Sequence, residues 1–375
     1  MWNRFFVVSA FVLYSLLSTQ SSRAEQTQSV LQAGAFAIDI TPEKFPVESA
    51  GSMTPRHTVR AHDPLHARCL VLDNGQRKIA FAICDSCMIP REIFDHAKKR
   101  AARETGIPTD HILTSATHTH TGVSVGRTFQ SDVETEYADF LARRIAEGIA
   151  QAVTQLEPAR IGWAVGNNPR QVFNRRWHLR PGAALRDPFD RGSDKVRMNP
   201  PRAAEQLLKP AGPIDPEVPI LSVQAIDGRP IAVLANYSLH YVGGVPANSL
   251  SADYFGEFAR QLTRLIKADA DAVPERQSDP PPPAFVGMLS NGTSGDINNI
   301  NFFEGGPRRE PFEQVRLVAN DLAESAYAAY KRVKYYDWVP LEMKETEIEL
   351  RVRRPTAEEL QRASKVLAAA GDRPY

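Results

Sequence analysis

The chain has 375 residues, enough to bury a substantial core in one large domain or two smaller ones. With 45 basic against 44 acidic side chains and no long Lys/Arg run, nothing suggests a nucleic-acid partner. An apolar share of 42% with 24% charged residues excludes a disordered or fibrous chain, and 28 prolines favour a loop-rich enzyme over a helical bundle.

The chain opens with Arg4, a mostly apolar run from Phe5 to Leu17, and Ser22-Arg23-Ala24. A positive start, a short apolar stretch and a small-x-small site read as a signal peptide over residues 1–24, cleaved near Ala24. The run is short for a bilayer span. A secreted or periplasmic mature protein over residues 25–375 is the expectation.

Gly34 to Ile40 reads as a strand leading into Thr41-Pro42. His66 to Leu72 and Lys78 to Ile83 flank Asp73-Asn74-Gly75-Gln76, and Asn-Gly between apolar runs predicts a hairpin. Cys84-Asp85-Ser86-Cys87 follows that second strand. In an exported chain Cys69, Cys84 and Cys87 are expected as buried thiols or one disulfide, with a redox C-x-x-C the weaker reading. Pro90 to Thr105 is a predicted helix stopped at Gly106, and Ile112 to Thr117 a predicted strand. Ser131-Asp132 is expected to cap a long amphipathic helix through about Gln155, with Phe140, Leu141, Ile145 and Ile149 on its apolar face. Arg160 to Val165, Pro219 to Ala225, Ile231 to Tyr237 and Ala284 to Leu289 read as strands. Asp253 to Lys267, Pro311 to Lys331 and Thr356 to Ala370 read as helices. Residues 180–213 and 268–283 are expected as long loops, either functional or merely surface. No internal repeat is evident. The alternation implies an α/β fold of mixed β-sheets flanked by helices, with the active site at strand ends.

The chemistry concentrates at four such ends. The first is Ser115-Ala116-Thr117-His118-Thr119-His120-Thr121-Gly122. Residues i and i+2 of a strand share a face. Both imidazoles would then meet one cleft and suit a catalytic metal, although a solvated His-Thr turn fits the spacing equally. The second is Asn236-Tyr237-Ser238-Leu239-His240, and the third runs from Phe285 through Ser294-Gly295-Asp296-Ile297-Asn298-Asn299. Small residues in the third let backbone N–H groups approach a ligand, or simply make a tight turn. The fourth, Asn174-Arg175-Arg176, offers a guanidinium fork for an oxyanion or a plain surface charge pair. Asn236 and Asn291 also lie in glycosylation sequons but are read as cleft residues.

Together, Thr117-His118-Thr119-His120-Thr121-Gly122, Asn236-Tyr237-Ser238-Leu239-His240 and Ser294-Gly295-Asp296-Ile297-Asn298-Asn299 resemble neutral/alkaline non-lysosomal ceramidases. Gly34-Ala35-Phe36-Ala37-Ile38-Asp39-Ile40-Thr41-Pro42 and His62-Asp63-Pro64-Leu65-His66-Ala67-Arg68 fit the same pattern, so the resemblance spans roughly residues 33 to 335. It implies a zinc amidase that cuts the N-acyl bond of ceramide or a related N-acyl lipid, with peripheral membrane contact through its substrate. By position, His118 and His240 resemble zinc ligands, His120 the histidine at the reacting centre, and Arg175 the active-site arginine. Gly295 and Asp296 fall in the substrate-binding block. Asn298 stands where the family has a serine assigned as nucleophile or oxyanion partner. An amide side chain donates a hydrogen bond but accepts no acyl group, which implies water as nucleophile. The family's remaining glutamate and tyrosine ligands lie further along than Tyr375, and Asp296, Asp85 and Asp253 are the candidate substitutes. The resemblance therefore implies the catalytic part of a ceramidase-like domain without its C-terminal portion. A catalytically degenerate lipid- or glycan-binding relative is the alternative.

Overall fold

A computed structural model describes residues 30–183, 194–270 and 282–371; the signal-peptide reading falls outside them. Nine strands form the main sheet. The first four are β1 (Gln32–Asp39), β2 (His66–Asp73), β3 (Lys78–Cys84) and β4 (Ile112–Ala116). The next four are β5 (Glu157–Asn167), β6 (Glu217–Ala225), β7 (Pro230–Tyr237) and β8 (Val286–Asn291), and β9 (Lys334–Tyr336) adds to β5. The helices are α1 (Arg91–Thr105), α2 (Thr135–Thr154), α3 (Asp253–Ala270), α4 (Glu313–Tyr330) and α5 (Ala357–Ala370).

The strand order is β8-β7-β6-β5-β1-β2-β3-β4. Only β3–β4 and β7–β8 pair in parallel, and each of those pairs is joined by a crossover helix, α1 or α3. The order contains a repeat that the sequence conceals. β1-β2-β3-α1-β4-α2 and β5-β6-β7-α3-β8-α4 have the same pairing pattern, and β1 meets β5 antiparallel at the junction. No repeat is evident in the sequence; the repeat is one of strand order and pairing direction.

The sheet curls until edge strand β8 packs against β2, β3 and β4 from the opposite half. Alternate side chains sort accordingly. Ala33 and Ala35 of β1, Leu70 and Leu72 of β2, Val223 of β6 and Met288 of β8 fill the space between the halves. Cys69, Val71, Ala80 and Ala82 face the other way, under α1 and α2, where Leu141, Ile145 and Ile149 are buried. Val218, Ile220, Val233 and Tyr237 face α3 and α4. The result is four layers, helices–sheet–sheet–helices, with polar strand ends converging at one rim.

The expected α/β class, strands and helices are present, with three differences. α2 begins at Thr135 with no side-chain cap, and not at Ser131-Asp132. The Ser131 N–H donates to the Thr128 carbonyl and the Asp132 N–H to the Glu48 carboxylate, which holds both residues in the loop ahead of the helix, where Glu134 and not either of them takes the cap position. Within 180–213, the segments Val196–Met198 and Leu207–Pro210 flank Arg176–Leu179 in a three-stranded sheet anchored by buried Trp177. Residues 268–270 continue α3, and 271–281 lie outside the described residues. The three cysteines are buried free thiols, the first of the two alternatives.

After β9 the chain crosses the β2–β3 turn, where the Asn74 side chain donates to the Val339 carbonyl and Trp338 Nε1 donates to the Asn74 carbonyl. It then runs extended, ion-paired to α1 through Lys98–Glu345 and Arg91–Glu347. α5 follows behind a Thr356/Glu359 capping box and buries none of its residues. Among the described residues no helix is long and apolar enough to cross a membrane.

Candidate metal centre

β4 ends at Ala116, and the chain continues beside β3: the Thr117 N–H donates to Cys84 and the His118 N–H to Ser86. His118 then adopts a left-handed backbone (φ 70°), rare for a residue with a Cβ. The two histidines therefore converge through a turn and not by strand alternation, which corrects the i/i+2 argument while keeping its outcome. Thr119 and Thr121 hold this turn by donating their hydroxyls to the Ser251 carbonyl at 2.9 Å. His240 arrives three residues beyond β7, from the other half of the fold.

The three imidazoles form one cluster. Ring centroids are 4.8 Å apart for His118–His120, 4.7 Å for His118–His240 and 5.2 Å for His120–His240. Each ring is engaged at Nδ1 by a backbone carbonyl: His118 with Cys87 (2.7 Å), His120 with Gly51 (3.0 Å) and His240 with Ser294 (3.0 Å). A carbonyl only accepts, so in the neutral ring the proton sits on Nδ1 and the lone pair on Nε2. This is how metal-binding histidines are oriented.

Electrostatics keep the lone pairs available. Burial, then the neighbouring imidazoles, lowers His120 to about 3. Burial foremost, with His118 and Arg175 adding to it, lowers His240 to about 4. Both rings are neutral at physiological pH.

The donor set fits a metal ion. His118 Nε2 and His120 Nε2 stand 3.2 Å apart. Two nitrogens bound tetrahedrally at the usual zinc distance would be separated by ~3.3 Å. Ligand atoms of Cys87, His118 and His120 also lie within 4.8 Å of one another, a group that could hold a metal. Cys87 Sγ, however, stands 3.9 Å from His118 Nδ1, the nitrogen already engaged by the Cys87 carbonyl. Burial also raises this thiol to about 11. Cys87 therefore supports His118 from behind, and the third imidazole of the cluster is His240, with its ring 4.7 Å from that of His118.

The other expected residues sit on a strap around His240. Ile297–Asn298 pairs with Phe173–Asn174. The Arg175 side chain donates from Nε (3.0 Å) and Nη2 (2.6 Å) to the Gly295 carbonyl, and its N–H donates to the Asp296 carbonyl. Asp296 accepts from the Asn174 amide at 2.9 Å, which makes it a fastener of the strap. Asn298 is half-buried and makes no side-chain hydrogen bond among the described residues.

The candidate substitute ligands are already committed. Asp85 accepts from Arg68 Nη1 at 2.8 Å and from the His66 N–H. Asp253 accepts from the N–H groups of Val242, Gly243 and Tyr254. Asn236 and Asn291 lie on the adjacent parallel strands β7 and β8, with Asn236 bonded to Ser290. Sequence reasoning missed Gly51, whose carbonyl orients His120, and Tyr241, whose ring stacks on His120 at 3.7 Å. A lone glycine carries no signal; an aromatic next to His240 carried one that went unread.

Comparison with solved structures places this fold. It superposes on the neutral ceramidase from Pseudomonas aeruginosa with a TM-score of 0.61 at 19% identity, over 81% of this chain and 45% of that one. A ceramidase complexed with C2 gives 0.59 at 17% identity, over 81% and 44%. The chain thus spans less than half the length of these solved proteins. No protein-family model matches the sequence, and no curated protein matches it. The chain has a neutral ceramidase-like fold.

Proposed function

We propose that the protein is an exported zinc-dependent hydrolase that cleaves the N-acyl amide bond of ceramide or a related N-acyl lipid. The observation that carries this reading is the cluster of three imidazoles, each braced at Nδ1 by a backbone carbonyl, with His118 and His120 bringing their Nε2 atoms to 3.2 Å. The ceramidase-like fold supports the substrate class. Export rests on the N-terminal segment alone, and contact with a membrane surface would follow from the substrate.

His118 and His240 would hold the metal, which when bound supplies a Lewis acid for the amide carbonyl and acidifies water. Arg175 is anchored through Nε and Nη2, and its Nη1 is left to donate to the amide oxygen as negative charge develops there. His120 stays neutral, so its Nε2 accepts a proton from the attacking water and returns it to the leaving nitrogen. Asn298 cannot carry an acyl group, which leaves water as the nucleophile.

A second reading, a degenerate lipid- or glycan-binding protein, is favoured by the commitment of the Asp85 and Asp253 carboxylates to other partners. Metal analysis of purified wild type and His118→Ala, followed by mass-spectrometric detection of sphingoid base released from ceramide, separates the two. One zinc per chain, lost in the variant, with release of product, supports the hydrolase. A folded wild type that is zinc-loaded yet leaves every N-acyl amide intact overturns it. Lipid binding that persists after chelation, without turnover, establishes the second reading.

A further inference from the structure

Tyr241 lies in the cluster without an assigned part. Its ring stacks on His120 with centroids 3.7 Å apart and planes 17° from parallel, and lies 5.3 Å from His240. Its position is built. The next two N–H groups, of Val242 and Gly243, donate to the Asp253 carboxylate at 3.2 and 2.9 Å. The Val242 carbonyl accepts from Asn299 at 3.3 Å. A Cβ at Gly243 would come within 3.2 Å of the Tyr241 ring, so the loop also needs a glycine there (φ 79°). Asp253 is itself buried, at the start of α3, and holds a left-handed backbone (φ 53°) to reach these groups. Strain of this kind persists only where the surroundings over-determine it.

The phenol is near enough to Arg175 for the two to interact electrostatically. Among the described residues the Tyr241 hydroxyl makes no hydrogen bond, and neither does Arg175 Nη1. Two donors without protein acceptors therefore flank the imidazole cluster. We propose that Tyr241 is a catalytic residue, whose hydroxyl acts with Arg175 as a donor pair for the substrate's carbonyl oxygen as it becomes an oxyanion. Its ring holds the plane of His120 at the same time. The assignment rests on reading the site as an amidase, and it separates the two jobs of one side chain.

The test compares wild type, Tyr241→Phe and Tyr241→Ala. Phenylalanine keeps the stack and removes the donor; alanine removes both. The expected result for Tyr241→Phe is a fall in kcat of about 10²-fold with KM within threefold and zinc content unchanged, as for loss of one oxyanion donor. For Tyr241→Ala kcat falls further, because His120 loses the ring stacked on it as well. Dodecylphosphonate, a tetrahedral anion on an alkyl chain, supplies a readout without turnover. It should bind the wild-type protein and bind Tyr241→Phe at least tenfold more weakly. Binding that is equal in both, or absent from the wild type, overturns the proposal. If the wild type hydrolyses no N-acyl lipid yet shows this Tyr241-dependent binding, the amidase reading fails while the donor pair stands.

Discussion

His118 and His120 face each other through Nε2 atoms 3.2 Å apart, each held by a carbonyl at the far side of its ring. Neither Nε2 carries a proton in that arrangement, so two lone pairs are pressed together. A cation on His118, or a proton taken up by His120, relieves this conflict.

The most sensitive position behind this relationship is Gly51. A Cβ there would meet His120 carbons at 2.6 Å, and the backbone (φ 88°) is one that other residues adopt at a cost of about 1–2 kcal/mol. Gly51→Ala should lower stability by at least about 1 kcal/mol and lower kcat by an order of magnitude or more, because the Gly51 carbonyl orients His120. Urea denaturation and turnover assays measure the two effects. An unchanged kcat would show that the Gly51 carbonyl does not orient His120.

Acid should act on the zinc-free protein through opposing groups. In the unfolded chain the histidines take up protons near pH 6.5. Folded His240 and His120 do so only near 4 and 3, so their contribution to stability is present above pH ~6.5 and lost as pH falls towards those values. Asp253, raised to about 6 by burial, runs the other way: it stabilises below the unfolded carboxylate range and loses that stabilisation as pH rises through 6. Replacing His120 with Asn removes one destabilising term. Its urea midpoint should fall less than the wild type's between pH 6.5 and 4. Parallel pH profiles would refute this account.

The Arg68–Asp85 pair is buried beneath the β3 strand end, with Asp85 fully enclosed. Asp85→Ala would strand a guanidinium there and should cost about 3–5 kcal/mol. The double change Arg68→Met/Asp85→Leu should cost far less, because no charge is left unpaired. Denaturant midpoints of both variants decide the matter; equal losses would mean the pair does more than neutralise itself.

The cysteines make a simple kinetic prediction. Burial raises Cys69 to about 12 and Cys87 to about 11, and it raises Cys84 too. Thiolate is scarce and access is closed. The folded protein should react with an aromatic disulfide reagent several orders of magnitude more slowly than the unfolded protein, which should titrate as three thiols. A fast single equivalent in the folded state would identify an exposed cysteine and contradict the burial.

Much of the architecture was legible because it is local. Asn74-Gly75 marked its hairpin, and Gly106 takes the left-handed conformation that ends α1. Thr356 with Glu359 caps α5. Ser131-Asp132 misled because the helix start is set by where the loop is held, and the holding contact, the Asp132 N–H on the Glu48 carboxylate, comes from a residue remote in sequence. Within the site, His118, His120 and His240 were nameable from residue type at strand ends. Gly51, Tyr241 and the Ser251 carbonyl were not, since their parts depend on non-local approach and, at His118, on a backbone angle that residue identity argues against. The paired halves stayed hidden for a related reason: pairing direction is a property of the assembled sheet.

That pairing has a consequence for how the centre comes into being. His118 and His120 follow β4 and His240 follows β7, so the three imidazoles issue from different halves, brought together only by the curl of the sheet. Neither half can assemble the cluster alone. An ion held by both would act as a clasp across the seam, favouring the closed arrangement in proportion to its occupancy. Spreading the halves by a few ångströms would release it, so metal retention would report on the seam as directly as on the histidines.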